Sequence, residues 1–434
     1  MVPIPDSILP RIIIIGGGFA GVKLVKKIKK LPFQIVLFDR NNYHTFQPLL
    51  YQVATAGLEP DSIADPLRKQ LKPADNFFFR MGEVHGIDTA RNTISTEIGE
   101  LSYDYLVIAT GSRTNFFGNV SLMQHAFPLK QIPQALDLRS HILQNFEAAT
   151  ITEDLMEKKS RMNIVVVGGG PTGVEVAGAL GELKRSILPK DYPELDFSKM
   201  SIILLEASSR LLGGMSEKSS ERSLRYLKKF HVDVYLNTLV ETYDGRSAKL
   251  SNGEHINTHT LIWGAGVKGN YPEGLPEAAL EGSRILVDEF SRVLGNDNVF
   301  AIGDIANMKT EDYPQGHPML APVAIQQGDH LAMNLRNLLN KRPLKSFRYF
   351  DKGSMATVGR NKAVVDFPRG GTLGGLPAWM VWMFIHLISI IGFRNKLIVF
   401  LNWVWNYFTY DKGTRLIIRK FVPSKLRKKE AEVF

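Results

Sequence analysis

At 434 residues, with 44% apolar and 22% charged side chains, the chain is long enough for two or three domains with ordinary cores. It has no cysteine, which excludes disulfides, thiolate-held zinc, cysteine-held iron–sulfur clusters and any thiol nucleophile. Lysine plus arginine exceed aspartate plus glutamate by 53 to 43, an excess that suits an anionic partner: a phosphate-bearing cofactor, a nucleic acid or an acidic lipid surface.

Taken in chain order, the opening "MVPIPDSILPR" lacks the basic, apolar and small-residue regions of a secretory leader, so the chain is expected to stay in the cytoplasm. Residues 11–21, "RIIIIGGGFAG", place a short β-branched run before Gly-x-Gly-x-x-Gly (Gly16, Gly18, Gly21), and a helical pattern follows. The run is too short for a helix and suits a strand buried on both faces. Such glycines allow a tight turn, close approach to a pyrophosphate and close strand–helix packing, and the helix start offers N–H groups to the phosphates. The next strand, "FQIVLFD", ends at Asp39, where a carboxylate can accept from ribose hydroxyls; the alternative is an exposed loop acid. "YDYLVIATGS" (103–112) is a strand ending in Thr110 and Gly111, where the backbone passes close to something flat or anionic.

The same unit then recurs. Residues 163–173, "NIVVVGGGPTG", carry Gly168, Gly170 and Gly173, and "MSIILLE" ends at Glu206 after a crossover lengthened by "KRSILPKDYPELDFS". "THTLIWGAGV" (258–267) parallels the Thr110–Gly111 strand and contains Gly266. "NVFAIGDIA" (298–306) ends in Gly303 and Asp304, the latter placed to reach a ribityl hydroxyl. One glycine motif says little; two, each with strand, helix and acid in order, point to two dinucleotides, a flavin and a nicotinamide.

In the tail, from Trp379 to Ile391 only His386 and Ser389 are polar. As a helix this run measures ~21 Å at 1.5 Å per residue, short of the ~30 Å, or ~20 residues, that a bilayer core needs. Joining it to "LIVFLNWVWNYFTY" would put Arg394 and Lys396 at mid-membrane, at ~2.5–3.5 kcal/mol each. Two helices lying in the interface avoid that cost. Asn402, Asn406 and Thr409 form a narrow polar stripe, and Trp379, Trp382, Trp403, Trp405 and Tyr407 suit interfacial depth. Lys412, Arg415, Arg419, Lys420, Lys425, Arg427, Lys428 and Lys429 then face only Asp411 before Glu430. The tail reads as a monotopic anchor with a basic clamp for an anionic lipid surface. The alternatives are a dimer interface or a core layer, and dimerisation through part of the tail is compatible with anchoring. No groove-reading motif accompanies the basic run, so no nucleic-acid partner is expected.

With these residues in place the chain resembles the two-dinucleotide-binding-domain flavoproteins over about residues 10–340 and, within them, the type II NADH:quinone oxidoreductases. The narrower resemblance is carried by "YHTFQPLLYQVATAGLEP" (43–60), "GGGPTGVEVAG" (168–178), "VFAIGD", "APVAIQQG" (321–328) and, in the tail, "GFRNK" and "NWVWNYFTY". It implies an α/β fold: two Rossmann-like domains of the glutathione-reductase kind and a membrane-associating helical region. The expected division is 1–117 and 270–340 for FAD, 118–269 for NADH and 341–434 for the C-terminal domain. It also implies non-covalent FAD, NADH as donor, membrane quinone as acceptor, no proton pumping, and a peripheral place on the cytoplasmic face of a bacterial inner membrane. No metal is expected. A soluble NAD(P)H-dependent reductase of a protein electron carrier is the alternative.

On this resemblance Gly16, Gly18, Gly21 and Asp39 serve FAD, together with Gln47, Pro48, Thr110, Gly111, Gly303 and Asp304. Gly168, Gly170, Gly173, Glu206 and Gly266 serve NADH. A carboxylate at 206 repels a 2′-phosphate and so favours NADH; Arg210 could pair with that phosphate, or serve a helix start or surface pair. Glu175 is either a helix cap or a group beside nicotinamide and flavin that affects NADH binding or proton movement. His44 is either a proton donor or structural. The family's Ala-Gln-x-Ala-x-Gln has Pro322 in place of its first glutamine and keeps Gln326 as its second. Gln326 is expected to face flavin and quinone, and Gln327, a further quinone candidate, points about 100° away.

Overall fold

The computed structural model describes residues 2–409 and 411–422. By internal contacts the chain divides into two units. The first comprises the chain up to Thr45, Ala64–Arg113 and Val267–Lys352; the second comprises Phe46–Ile63, Thr114–Gly266 and the chain from Gly353 on. The C-terminal region is thus part of the second unit, as is the segment that begins with Phe46. Six helices bear on the sites: α1 Phe19–Ile28, α2 Pro171–Ser186, α3 Glu217–Lys229, α4 Ala321–Leu339, α5 Leu376–Ser389 and α6 Phe393–Thr409.

The first unit is built on a five-stranded parallel sheet. Its spatial order is Val299–Ala301, Tyr105–Ile108, Arg11–Ile15, Gln34–Asp39, Phe77–Met81. Ile12 and Ile14 enter one core cluster with Leu24, Val25 and Ile28 of α1. Ile13 and Ile15 enter the opposite cluster with Val36 and Phe38. Both faces are covered, so the strand sequence is continuously apolar rather than alternating. α1 packs on α4 at Gly328, whose Cβ position lies 2.7 Å from the Ala20 carbonyl oxygen.

The second unit repeats the plan. Its parallel sheet runs Phe127–Pro128, Thr260–Trp263, Ile164–Val167, Ile202–Leu205, Val232–Tyr235. In both sheets the strand before the glycine loop lies between the strand ending in the acid and a strand ending in a second glycine turn. α2 presses on the strand Ser354–Gly359 at Gly178, whose Cβ position is only 1.8 Å from the Val358 carbonyl oxygen. That strand belongs to a three-stranded antiparallel sheet with Lys362–Asp366 and Thr372–Gly375. α3 and α5 both pack on this sheet. Ser216 caps α3, and the Asp366 carboxylate accepts from its hydroxyl at 2.9 Å and from the Ser219 hydroxyl at 2.6 Å.

α5 exposes Leu376, Met380, Phe384 and Ile388, four apolar residues each one helical turn apart. α6 exposes Leu397, Phe400, Leu401, Val404, Trp405 and Phe408. Among the described residues no helix is long and apolar enough to cross a membrane. The tryptophans divide in a way the sequence reading did not foresee. Trp405 is 61% exposed, whereas Trp382 is 2% and Trp403 9% exposed and both point into the protein. Asn406, from the expected polar stripe, also turns inward, its amide 3.4 Å from the Gly57 carbonyl.

Candidate functional sites

In the first unit, Gly16 adopts φ +110°, and a Cβ there would lie 2.3 Å from the Ala109 carbonyl oxygen. A Cβ on Gly21 would lie 1.9 Å from the Gly16 carbonyl oxygen. These two glycines let loop, strand end and α1 meet. Gly18, the N-cap of α1, has no atom within 4 Å of its Cβ position, and neither has Gly111 at φ +67°. The Thr110 hydroxyl is buried without a partner. An open helix start beside a glycine turn and an orphan hydroxyl fits a pyrophosphate-bearing cofactor. Asp39 accepts the Gly17 N–H at 2.6 Å and the Asn41 N–H at 2.7 Å, while burial raises its pKa. It is therefore no exposed loop acid: it ties the glycine loop to the next strand and keeps lone pairs for ribose hydroxyls. The Asp304 carboxylate accepts the Ser112 hydroxyl at 2.6 Å, and Gly303 turns with φ +79°. His44 is buried, its Nδ1 3.0 Å from the Gly17 carbonyl, and burial lowers its pKa. That geometry favours the structural reading of His44.

On α4 the two glutamines take different partners. Gln327 is fully buried and accepts the Gly303 N–H at 2.7 Å, leaving its own NH2 group without a partner. Gln326 instead donates to the Phe350 carbonyl and accepts the Phe350 N–H, both at 2.9 Å. The side of α4 that meets the Gly303 turn is the Gln327 side, because Gly328 beside it brings the helix against α1. Pro322 sits in the first turn of α4, where its missing N–H leaves no bond unmade.

The glycine geometry is repeated in the second unit. Gly168 has φ +106° and packs against Ala265, a Cβ on Gly173 would lie 1.8 Å from the Gly168 carbonyl oxygen, and Gly170 is open. Glu206 accepts the Gly169 N–H at 2.5 Å and the Ser208 N–H at 2.7 Å, as Asp39 does in its own unit. Arg210 donates to the Met215 and Gly213 carbonyls at 2.9 and 2.6 Å, which favours a local structural role. The Gly266 carbonyl accepts the Asn115 N–H at 3.0 Å, and the Phe117 ring covers its Cβ position at 2.8 Å. Gln47 and Pro48 open a short 3-10 turn, with Gln47 exposed.

Glu175 lies beyond the first turn of α2, so it is not a cap. Its carboxyl is buried, with the Thr357 N–H 3.5 Å away. Burial pushes its pKa up to about 8, opposed by Thr357 and the nearby Trp382 indole, whose N–H closes no hydrogen bond of ordinary geometry. It lines a largely apolar cavity with Tyr51, Trp379, Trp382, Trp403 and Lys412. A polar chain runs along this wall: Trp403 Nε1 donates to Gln52 Oε1 at 2.9 Å, and Gln52 Nε2 donates to the Tyr51 hydroxyl at 2.9 Å. His386 stacks on Trp382 with ring centres 4.1 Å apart, and burial pushes its pKa down to about 4. Tyr51, Gln52, Trp382 and Trp403 were not anticipated in this wall, since each depends on a partner remote in the chain.

Only part of the expected basic clamp lies within the described residues. Arg415 pairs with Asp191 at 2.5 Å, Arg419 pairs with Asp137 at 2.5 Å, and Lys412 turns into the cavity. Lys420 is exposed, and Lys425, Arg427, Lys428 and Lys429 lie outside the described residues.

Residues 10–328 match the pyridine nucleotide-disulphide oxidoreductase family, and residues 352–410 match the NDH2 C-terminal domain. NdhA, a type II NADH:quinone oxidoreductase of Mycobacterium tuberculosis, is 33% identical over 96% of this chain and 91% of its own. Ndh of the same organism, also named a type II NADH:quinone oxidoreductase, is 35% identical over 93% of this chain and 89% of its own. The fold is similar to that of NDH2 from Plasmodium falciparum, solved in complex with NADH, with a TM-score of 0.86 at 22% identity over 94% of this chain and 100% of that one.

Proposed function

The chain belongs to the type II NADH:quinone oxidoreductases, and from that premise we propose how its residues divide the work of NADH + H⁺ + quinone → NAD⁺ + quinol. FAD, when bound, would supply the two-electron redox chemistry that links NADH to quinone. The observation that carries this reading is a dinucleotide cradle built twice in a chain with no thiol, so no disulfide relays the electrons.

The first-unit cradle holds FAD. Gly18 and the N–H groups at the start of α1 receive the pyrophosphate, Asp39 accepts from the ribose, and Thr110, Gly111, Gly303 and Asp304 line the side toward the flavin. The second-unit cradle holds NADH, with Gly170 open to the phosphates and Glu206 on the ribose. An anionic Glu206 beside a 2′-phosphate is repulsive, so NADH is preferred over NADPH. Glu175 keeps its proton at neutral pH and can hold or release it inside an apolar cavity. Gln327 holds the Gly303 turn through its carbonyl oxygen, and Gln326, which is partly exposed, is the candidate to contact flavin or quinone.

The apolar faces of α5 and α6 lie in the membrane interface, where quinone is reached; this is supported by their exposed stripes and by their length. In a bacterium this is the cytoplasmic face of the inner membrane, where NADH is present. A second copy of the chain is the competing occupant, and it would appear as a dimer that persists without detergent.

Stopped-flow absorbance on anaerobic protein tests the reading. NADH is expected to bleach the flavin rapidly, NADPH slowly, and a short-chain quinone to restore the colour. A flavin that bleaches yet ignores quinone would overturn it.

A further inference from the structure

Of the basic residues described after α6, Arg415 and Arg419 are in ion pairs and Lys412 lines the cavity, yet a cluster without ion-pair partners exists elsewhere among the described residues. Arg222, Arg225, Tyr226 and Lys229 of α3, together with Gly374, line an open cleft of about 440 Å³. Arg222 donates to the Thr372 hydroxyl at 3.1 Å. None of the three cations has an ion-pair partner among the described residues. Glu217 and Glu221 share α3 but do not line the cleft. Three cations and a phenol around one opening make a site for an anion with several acceptor oxygens.

The position of the cleft selects the source of that anion. The Cβ position of Gly374 lies 2.9 Å from Arg222 Cδ, and that of Gly375 lies 3.6 Å from the Tyr226 hydroxyl. Gly375 is the N-cap of α5, and the next residue, Leu376, begins the exposed stripe continued by Met380, Phe384 and Ile388. The cleft therefore adjoins the N-terminal end of the apolar stripe, as phosphates adjoin acyl chains in a lipid leaflet. A soluble anion would gain nothing from that adjacency.

We infer that Arg222, Arg225 and Lys229 bind the phosphate of an anionic phospholipid headgroup and set the end of α5 at the headgroup level of the leaflet. This rests on the reading that α5 and α6 lie on lipid.

The test is vesicle flotation of the FAD-loaded full chain on phosphatidylcholine vesicles and on vesicles containing phosphatidylglycerol. Arg225 and Lys229 are exposed, so R225Q/K229Q is expected to fold as the parent does, as checked by flavin bleaching with NADH. K158Q/K159Q removes the same charge from a surface remote in sequence. The parent should float with both vesicles and more strongly with the anionic ones. R225Q/K229Q should lose about tenfold or more of the anionic gain, at ~1 kcal/mol per basic residue, while floating unchanged on phosphatidylcholine. K158Q/K159Q should keep the gain. An anionic gain that survives in R225Q/K229Q overturns the inference. So does its abolition by inorganic phosphate but not by chloride at equal ionic strength, which would assign the cleft to a free anion. A parent that floats with neither vesicle removes the membrane reading itself, and this inference with it.

Discussion

The Glu175 carboxyl is neutral in the folded protein until about pH 8, whereas an ordinary glutamate ionises near 4.5. Between those values the folded state holds a proton that the unfolded state has lost. Stability attributable to this group is therefore highest at low pH and declines as pH rises through that window, by roughly a few kcal/mol at its upper end. Melting temperatures from pH 5 to 8.5 should fall less steeply in Glu175→Gln than in the parent, with the variant gaining most at the alkaline end. The glycines separate by position in the same way. Gly173→Ala forces a Cβ to within 1.8 Å of the Gly168 carbonyl oxygen and should lower the melting temperature sharply. Gly170→Ala meets no atom within 4 Å; the fold should persist while KM for NADH rises about tenfold, since the added methyl stands where the phosphate approaches. At Glu206, replacement by serine removes the charge facing a 2′-phosphate, and the ratio of kcat/KM for NADPH over NADH should rise at least about tenfold.

At the scale of the elements, the exposed faces of α5 and α6 carry the expected hold on lipid. Replacing Phe384, Phe400 and Phe408 together by serine removes three large apolar groups, each exposed by 44% or more, from those faces. Flotation on phosphatidylcholine vesicles should weaken by at least about tenfold, since each full aromatic burial is worth ~1.5–3 kcal/mol, while bleaching of the flavin by NADH stays unchanged. The same helices show what could be read from sequence and what could not. Strand, glycine loop and acid lie within about forty residues of one another, and their geometry follows from local backbone rules, so the two cradles and their parallel sheets were legible. A helix's apolar content was equally legible, but not which neighbour each side chain meets. Trp403 turns inward because Gln52 awaits it, and Arg419 pairs with Asp137. Those partners lie far along the chain, and no periodicity encodes them.

For the whole molecule, the absence of cysteine gives a direct prediction: turnover of NADH and quinone should be unaffected by N-ethylmaleimide, and any loss would require a target other than a thiol. The bond from Trp403 to Gln52 has a consequence of a different kind. It joins parts of the second unit separated by 351 positions in the chain. On a ribosome adding ~5–20 residues per second, the segment around Gln52 waits roughly 20–70 s before the indole that completes its wall exists. During that interval the strand and loop motifs of the first unit can already form around their own cores, and the segment that starts at Phe46 can pack on the helices Ile132–Thr150 and Pro171–Ser186 but lacks the cover of α6. Chains released early, before α6 is made, keep the whole first-unit cradle but leave Gln52 without its indole partner, and limited proteolysis should cut them near that segment faster than the full chain.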